Sequence, residues 1–201
     1  LICAGGTGGG VYPALTVTGI LNNAGHDVLW VGTADGIEAS LVKRVGIPYE
    51  SIQAAGVHGV SLKKLPGNLL KLWKGYQDSK SILKRFQPDA LFFTGGFVAV
   101  PMAFAGRDVP SLLYVPDIEP GLALKTLGRF AKTIALTTED TKMFYKSSDN
   151  LVVTGYPLRD DLKQWTKAEA LEYFHFDPNL PTLLFMGGST GARSINNAVI
   201  A

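Results

Sequence analysis

A single cysteine, Cys3, stands among the 201 residues, so no internal disulfide can form. It falls in an apolar stretch, where the fitting reading is a small buried hydrophobe, and its isolation points to a reducing compartment. Charge is scarce as well. Only 18% of residues are Asp, Glu, Lys or Arg and the net charge is +2, too little to argue for a nucleic-acid partner. No apolar run reaches the roughly 18 residues that a membrane span needs. Two phosphate-binding patterns are missing too. G-x-G-x-x-G fails whether counted from Gly6 or from Gly8, because Val11 and Pro13 stand where the last glycine belongs. The second strand closes on Trp30-Val31-Gly32-Thr33 without an acid, and no G-K-[ST] occurs. A dinucleotide fingerprint and a P-loop are therefore excluded. The chain begins at Leu1, already inside a strand-like stretch, which gives the expectation of a trimmed N-terminus; an upstream signal peptide stays open.

What is plentiful is apolar residues, 46%, with 23 glycines, enough to build a core. The glycines concentrate in turns. Residues 1–4 read as a short buried strand and 13–21 as a helix, with Pro13 in the first turn, where its missing N–H is harmless. Between them, Gly5-Gly6-Thr7-Gly8-Gly9-Gly10 gives a strand, a glycine turn and a helix start. That arrangement offers bare backbone N–H groups and a positive dipole end to an anion. A plain tight turn is the competing reading.

The same rhythm continues. Strands are predicted at 27–32, 48–52, 89–94, 111–115, 133–136 and 151–154, alternating with helices at 36–45, 66–86, 98–105, 122–130 and 139–145. Alternation of this kind means a doubly wound parallel sheet covered on both faces, with ligands at the C-terminal strand ends. The first glycine turn, a second one at Gly95-Gly96 and the loop 115–121 all belong to that end. After Thr154 the rhythm breaks. A helix is expected at 167–174, then a fresh buried strand at 182–186, a third glycine turn at 187–193 and a last helix. The expected domains are 1–155, Rossmann-like, and 156–201, a linker plus the first strand–helix unit of a second α/β domain.

Gly5-Gly6-Thr7-Gly8-Gly9, Trp30-Val31-Gly32-Thr33, Gly46-Ile47-Pro48, Pro88-Asp89, Gly95-Gly96, Gly155-x-Pro157-x-Arg159 and Gly187-Gly188-Ser189-x-Gly191-Ala192-Arg193 follow one another in register. Together they resemble the MurG-like family-28 glycosyltransferases over the whole chain. Members of that family add N-acetylglucosamine to the undecaprenyl-linked muramyl-pentapeptide precursor of peptidoglycan. The resemblance implies a GT-B fold of two Rossmann-like domains across a cleft. The N-terminal domain takes the lipid-linked acceptor and the C-terminal domain the UDP-sugar. It implies no tightly bound cofactor and no metal, with the UDP-sugar as donor substrate. It also implies a cytoplasmic protein peripheral on the inner face of the cell membrane. Alternatives left open are a paralogue using another glycolipid acceptor and a non-catalytic sugar-nucleotide or lipid-binding domain. These 201 residues alone are expected to be inactive, since most of the second domain would be missing.

By motif, Thr7, Gly8 and Gly9 match the turn that contacts sugar nucleotide or acceptor, and Gly95 and Gly96 the second turn. Arg159 matches an arginine that holds the UDP-sugar, a fork suited to a diphosphate; a surface charge is the alternative. Ser189, with Thr190, matches the donor-side turn; a helix N-cap is the alternative. Four places depart from the family pattern. Gly10 stands where His is usual, Phe97 where Tyr is, Tyr114-Val115-Pro116-Asp117 where His-Glu-Gln-Asn is, and Tyr156 where Asn is. With no histidine at position 10, Asp117 and Glu119 are the candidate general bases, Asp117 first; the alternative is that both only complement a helix dipole. His58 is a weaker candidate. Residues 62–76 mix basic and large apolar side chains. Leu69, Lys71, Leu72, Trp73 and Lys74 are expected either to rest on an anionic bilayer or to form an ordinary helix with Leu and Trp in the core.

Overall fold

The computed structural model describes residues 1–56, 59–61, 63–146, 149–159, 162, 164–187 and 191–200. They divide into two compact units, Leu1–Pro157 and Leu158–Ala201.

In the first unit, strands β1 (Ile2–Cys3), β2 (Trp30–Gly32), β3 (Tyr49–Ser51), β4 (Leu91–Phe93), β5 (Ser111–Val115), β6 (Thr133–Leu136) and β7 (Leu151–Val153) alternate with helices α1 (Gly8–Asn23), α2 (Ile37–Arg44), α3 (Leu65–Phe86), α4 (Ala99–Ala105) and α5 (Leu122–Leu127). All seven strands are parallel, in the order β3-β2-β1-β4-β5-β6-β7. The strands carry apolar residues on both faces because both faces are covered. Successive side chains point to opposite sides. Ile2, Trp30, Phe92, Tyr114 and Ala135 meet Val11 and Ala14 of α1 and Val42 of α2 in one core. Cys3, Val31, Phe93, Leu113 and Ile134 form the other with Ile82 of α3, Met102 of α4 and Leu124 of α5. Trp30 is wholly buried and its indole N–H donates to the Ala4 carbonyl at 3.0 Å, so its polar handle is satisfied inside the core.

Several expected boundaries shift. Helix α1 starts at Gly8, not Pro13; the Thr7 carbonyl accepts from the N–H groups of Gly10 and Val11, and the helix has already formed where the proline arrives. Pro13 lies inside it and can give no N–H to the Gly9 carbonyl; the Tyr156 hydroxyl approaches that oxygen at 3.5 Å instead. Helix α5 ends at Leu127, short of the expected 130, and the segment expected as a helix at 139–145 is a 3-10 helix, Glu139–Phe144.

The second unit holds α6 (Lys167–Tyr173) and α7 (Arg193–Ile200). Thr166 and Glu169 form a capping box at α6: the Thr166 N–H donates to Glu169 at 2.7 Å and the Glu169 N–H to the Thr166 hydroxyl at 3.3 Å. The strand expected at 182–186 is absent, and Leu183, Leu184, Phe185 and Met186 are exposed. A strand exists by pairing its N–H and C=O groups, and the described residues of this unit include no other strand to pair with.

Candidate functional site

The strand order reverses between β1 and β4: β1 continues to β2 on one side and β4 to β5 on the other. A crevice opens outside the carboxyl ends of the strands at such a point. Two glycine turns meet there. Gly96 has φ +84, and a Cβ on it would lie 2.5 Å from the Gly5 carbonyl oxygen, so the two backbones approach as only glycine permits. Around them is a cavity of about 370 Å³. Thr7, Gly9, Gly10, Gly95, Gly96 and Asp117 line it, so six of the expected site residues, drawn from the start of α1 and two loops, come together. Phe97, Pro116, Leu122 and Leu124 supply its apolar wall.

Helix α1 points its N-terminus at this cavity. Its N-cap, Thr7, makes no side-chain capping bond, and no acid stands in the first turn. The dipole end thus carries neither a capping side chain nor an acid to offset it. Gly8 is buried and is not part of the cavity lining. Thr94, 2% exposed, also lines the cavity, and its hydroxyl has no hydrogen-bond partner among the described residues. Gly10 lies directly over it: a Cβ on Gly10 would be 3.1 Å from the Thr94 carbonyl oxygen and 3.4 Å from its hydroxyl. A side chain at position 10 would need Thr94 to give by a few tenths of an ångström.

The two candidate bases separate. Both are exposed, but Asp117 lines the cavity just beyond β5 and Glu119 stands outside the lining. Asp117 faces two tyrosines. Burial raises the Tyr114 and Tyr156 hydroxyl pKa values, and the Asp117 charge raises both further; a hydrogen bond with Thr137 partly offsets this at Tyr114. The Tyr114 hydroxyl lies 2.8 Å from Thr137 Oγ1 and donates to the Gly155 carbonyl at 3.3 Å; its ring meets that of Tyr156 edge-on at 6.3 Å. These contacts bind the end of β7 to the cavity's first turn through Tyr156 and Gly9.

Glu38 was not foreseen from the sequence. It is fully buried in the first turn of α2, and its carboxyl accepts from the Thr33 N–H at 2.9 Å, the Thr33 hydroxyl at 2.7 Å and the Gly6 N–H at 3.4 Å. The available signal was a charged residue two places after a glycine at a helix start. Burial and the Glu38 charge together push the Tyr49 phenol well above its ordinary pKa, and its hydroxyl donates to the Thr33 carbonyl at 2.5 Å.

Arg159 is exposed in the second unit. Ser189, Thr190 and His58 lie outside the described residues. Helix α3 turns Gly75, Ser79 and Ile82 inward. Leu69 is 53% exposed and Trp73 59%, Lys71 and Lys74 are exposed and Leu72 is half-buried, so Leu69 and Trp73 do not fill the core. Beside them a groove of about 670 Å³ runs between α3 and α4, with Trp73, Tyr76, Phe104 and Phe130 on its walls and Lys80 and Arg107 at its edges. No described helix is long and apolar enough to cross a membrane. Among the described residues no three His, Cys, Asp or Glu side chains converge as a metal site requires.

Comparison with known proteins brings these features into one frame. The sequence model described as the glycosyltransferase family 28 N-terminal domain matches residues 1–136. The UDP-N-acetylglucosamine--N-acetylmuramyl-(pentapeptide) pyrophosphoryl-undecaprenol N-acetylglucosamine transferase of Desulforamulus reducens is 36% identical over 208 residues, covering 100% of this chain and 55% of that protein. The enzyme of the same name from Lachnoclostridium phytofermentans is 34% identical over 201 residues, covering 99% of this chain and 56% of its own length. The chain therefore spans about half the length of the curated relatives it matches. The crystal structure of Acinetobacter baumannii MurG superposes with a TM-score of 0.65 at 28% identity, over 81% of this chain and 46% of that one. Anabaena Alr3699/HepE in complex with UDP superposes with a TM-score of 0.60 at 13% identity, over 87% of this chain and 48% of that one, a likeness of fold alone.

Proposed function

The chain belongs to glycosyltransferase family 28, and we propose that it is the acceptor-side part of an inverting transferase that moves N-acetylglucosamine from a UDP-sugar to a lipid-linked muramyl-pentapeptide. One observation carries the reading: the cavity at the β1–β4 reversal joins an uncapped helix N-terminus to a single carboxylate, Asp117. Anion recognition and proton abstraction are the two tasks of an acceptor site whose substrate is a diphosphate-linked sugar. The α1 amides meet a phosphate oxygen without a counter-cation. Asp117 takes the proton of the attacking acceptor hydroxyl as that oxygen bonds to the anomeric carbon. The bond to the UDP oxygen breaks on the opposite face, and the configuration inverts. On the donor side, Arg159, Ser189 and Thr190 hold the diphosphate as it gains charge.

Membrane contact belongs to the same reading. A lipid-linked acceptor stays at the bilayer, and α3 presents Leu69, Leu72 and Trp73 beside Lys71 and Lys74, apolar anchors with cations for anionic headgroups. On this reading the protein works as a peripheral enzyme at the cytoplasmic face of the membrane.

The deciding experiment is Asp117→Asn in the whole protein, assayed with UDP-N-acetylglucosamine and the lipid-linked acceptor. A general base of this kind contributes about 10²–10⁴-fold, so kcat falls by that factor while the KM for the UDP-sugar stays put. An unchanged kcat removes Asp117 from the chemistry. A second reading, transfer to a different glycolipid, is favoured by the apolar wall, where Phe97 is 50% exposed, and by Gly10, which brings no side chain to the cavity. A panel of lipid-linked acceptors separates the two, because only one acceptor class will turn over.

A further inference from the structure

The Glu38 side chain occupies a socket bordered by three glycines, Gly5 after β1 and Gly32 and Gly36 at the two ends of the β2–α2 loop, with the Tyr49 hydroxyl also against Gly32. A Cβ on Gly5 would lie 2.6 Å from its Oε1, a Cβ on Gly32 2.7 Å from its Cγ, and a Cβ on Gly36 would overlap the carboxyl outright. No cation pairs with it among the described residues; its partners are the Thr33 N–H, the Thr33 hydroxyl and the Gly6 N–H. A buried carboxyl held by neutral donors is costly to keep, and an apolar side chain of the same size would fill the space while leaving those donors without an acceptor.

The backbone it holds is the cavity wall. Gly5 and Gly6 line the cavity from one side and Gly96 from the other. The Gly5 carbonyl is the atom against which Gly96 packs, and Gly6, at φ +98, lies 3.8 Å from the Gly96 Cα, measured from the position its Cβ would take. The Gly5–Gly6 segment is thus clamped, with Glu38 behind it and Gly96 in front. Through Thr33, Glu38 also ties that segment to the loop between β2 and α2.

We propose that Glu38 is a positioning residue of the cavity: its buried carboxyl sets the first glycine turn from behind and so fixes where the α1 amides and Gly96 face the ligand. Glu38 touches no ligand itself. The kinetic part of the test rests on the transferase reading, while the resonance part does not.

Glu38→Gln keeps the side-chain shape and turns an –NH2 toward one of the three donors. In this chain, amide ¹H–¹⁵N resonances shift at Gly6 and Thr33 and also, by way of the clamp, at Gly10 and Gly96. In the whole protein, with UDP-N-acetylglucosamine and the lipid-linked acceptor, kcat/KM for the acceptor falls about tenfold to hundredfold, as a displaced positioning element demands, while the UDP-sugar KM is unchanged. A merely structural role would lower the folded fraction and leave both constants per folded molecule as they were. That outcome, or unmoved Gly10 and Gly96 resonances, overturns the proposal. If the wild-type protein transfers nothing, the transferase reading fails on its own and the resonances alone decide Glu38. Thr33→Val, which removes only the 2.7 Å hydroxyl bond, gives the same shifts at smaller size and serves if the Gln variant does not fold; unmoved resonances in that variant overturn the proposal equally.

Discussion

Replacing Gly96 by alanine tests whether the cavity exists because two backbones touch. Two costs add at this position. The residue sits at φ +84, where an L side chain loses about 1–2 kcal/mol. Its Cβ would also stand 2.5 Å from the Gly5 carbonyl oxygen, a backbone atom two residues beyond β1 and not the tip of a flexible side chain. Forcing extra volume into such a contact costs about 1–3 kcal/mol. Gly25 isolates the first cost: it has φ +82 with nothing within 4 Å of the Cβ position. The expected loss is therefore about 1–2 kcal/mol for Gly25→Ala and about 2–5 kcal/mol for Gly96→Ala. Urea unfolding followed by tryptophan fluorescence measures both. Trp30 is wholly buried in the first unit and reports its melting once the exposed Trp73 and Trp165 are changed to Phe. Equal destabilisation by the two alanines would refute the close-approach argument, since strain alone would then account for Gly96.

Two further outcomes follow from the structure. The Tyr145 hydroxyl has no partner among the described residues, and burial pushes its pKa up to about 12, so the folded state favours the neutral phenol. That contribution is complete below the ordinary value near 10 and drains away between about pH 10 and pH 12; Tyr145→Phe removes this alkaline loss and leaves stability at pH 8 within about 1 kcal/mol, as read by urea melts across pH. On α3, Lys71→Ala with Lys74→Ala weakens binding to vesicles containing anionic lipid by about 1 kcal/mol per lysine, and Leu69→Ser with Trp73→Ser weakens binding to neutral vesicles also. All four side chains are wholly or largely exposed, so stability changes by less than about 0.5 kcal/mol each; vesicle binding that ignores these changes refutes the membrane face.

The sheet was legible because its signal is local and repeated. Every central strand is a short apolar run between turn residues, and the alternation of Ile2 with Cys3 or Phe92 with Phe93 already allots side chains to two cores. The glycine turns were legible because glycine marks backbone that must bend or approach closely. What failed to show depends on partners distant in sequence. Helix α1 begins at Gly8 although three glycines are poor helix formers, because tertiary packing outweighs that propensity. The 182–186 stretch has strand residues and no strand, since pairing is not a property of the segment. Trp73 fits core or surface by composition, and only the inward turn of Gly75, Ser79 and Ile82 settles its direction. Glu38 meets Gly6 across 32 positions, and no periodicity announces that bond.

The positions that the sequence reading sets apart from the resembled motif pattern gather in one place. Tyr114, Tyr156 and Asp117 cluster at the carboxyl ends of β5 and β7, with Gly10 and Phe97 on the cavity they border. They are also mutually supported. Tyr156 reaches the Gly9 carbonyl that Pro13 cannot serve, Tyr114 lies edge-on to Tyr156 and bonds to Thr137, and both rings feel the Asp117 charge. A cavity framed by backbone from Gly5, Gly6, Gly95 and Gly96 keeps its shape while side chains around it change. Residues that share hydrogen bonds and ring contacts do not contribute additively. Changing Tyr114 or Tyr156 alone therefore removes a contact of the other, and the effects of the two changes do not add.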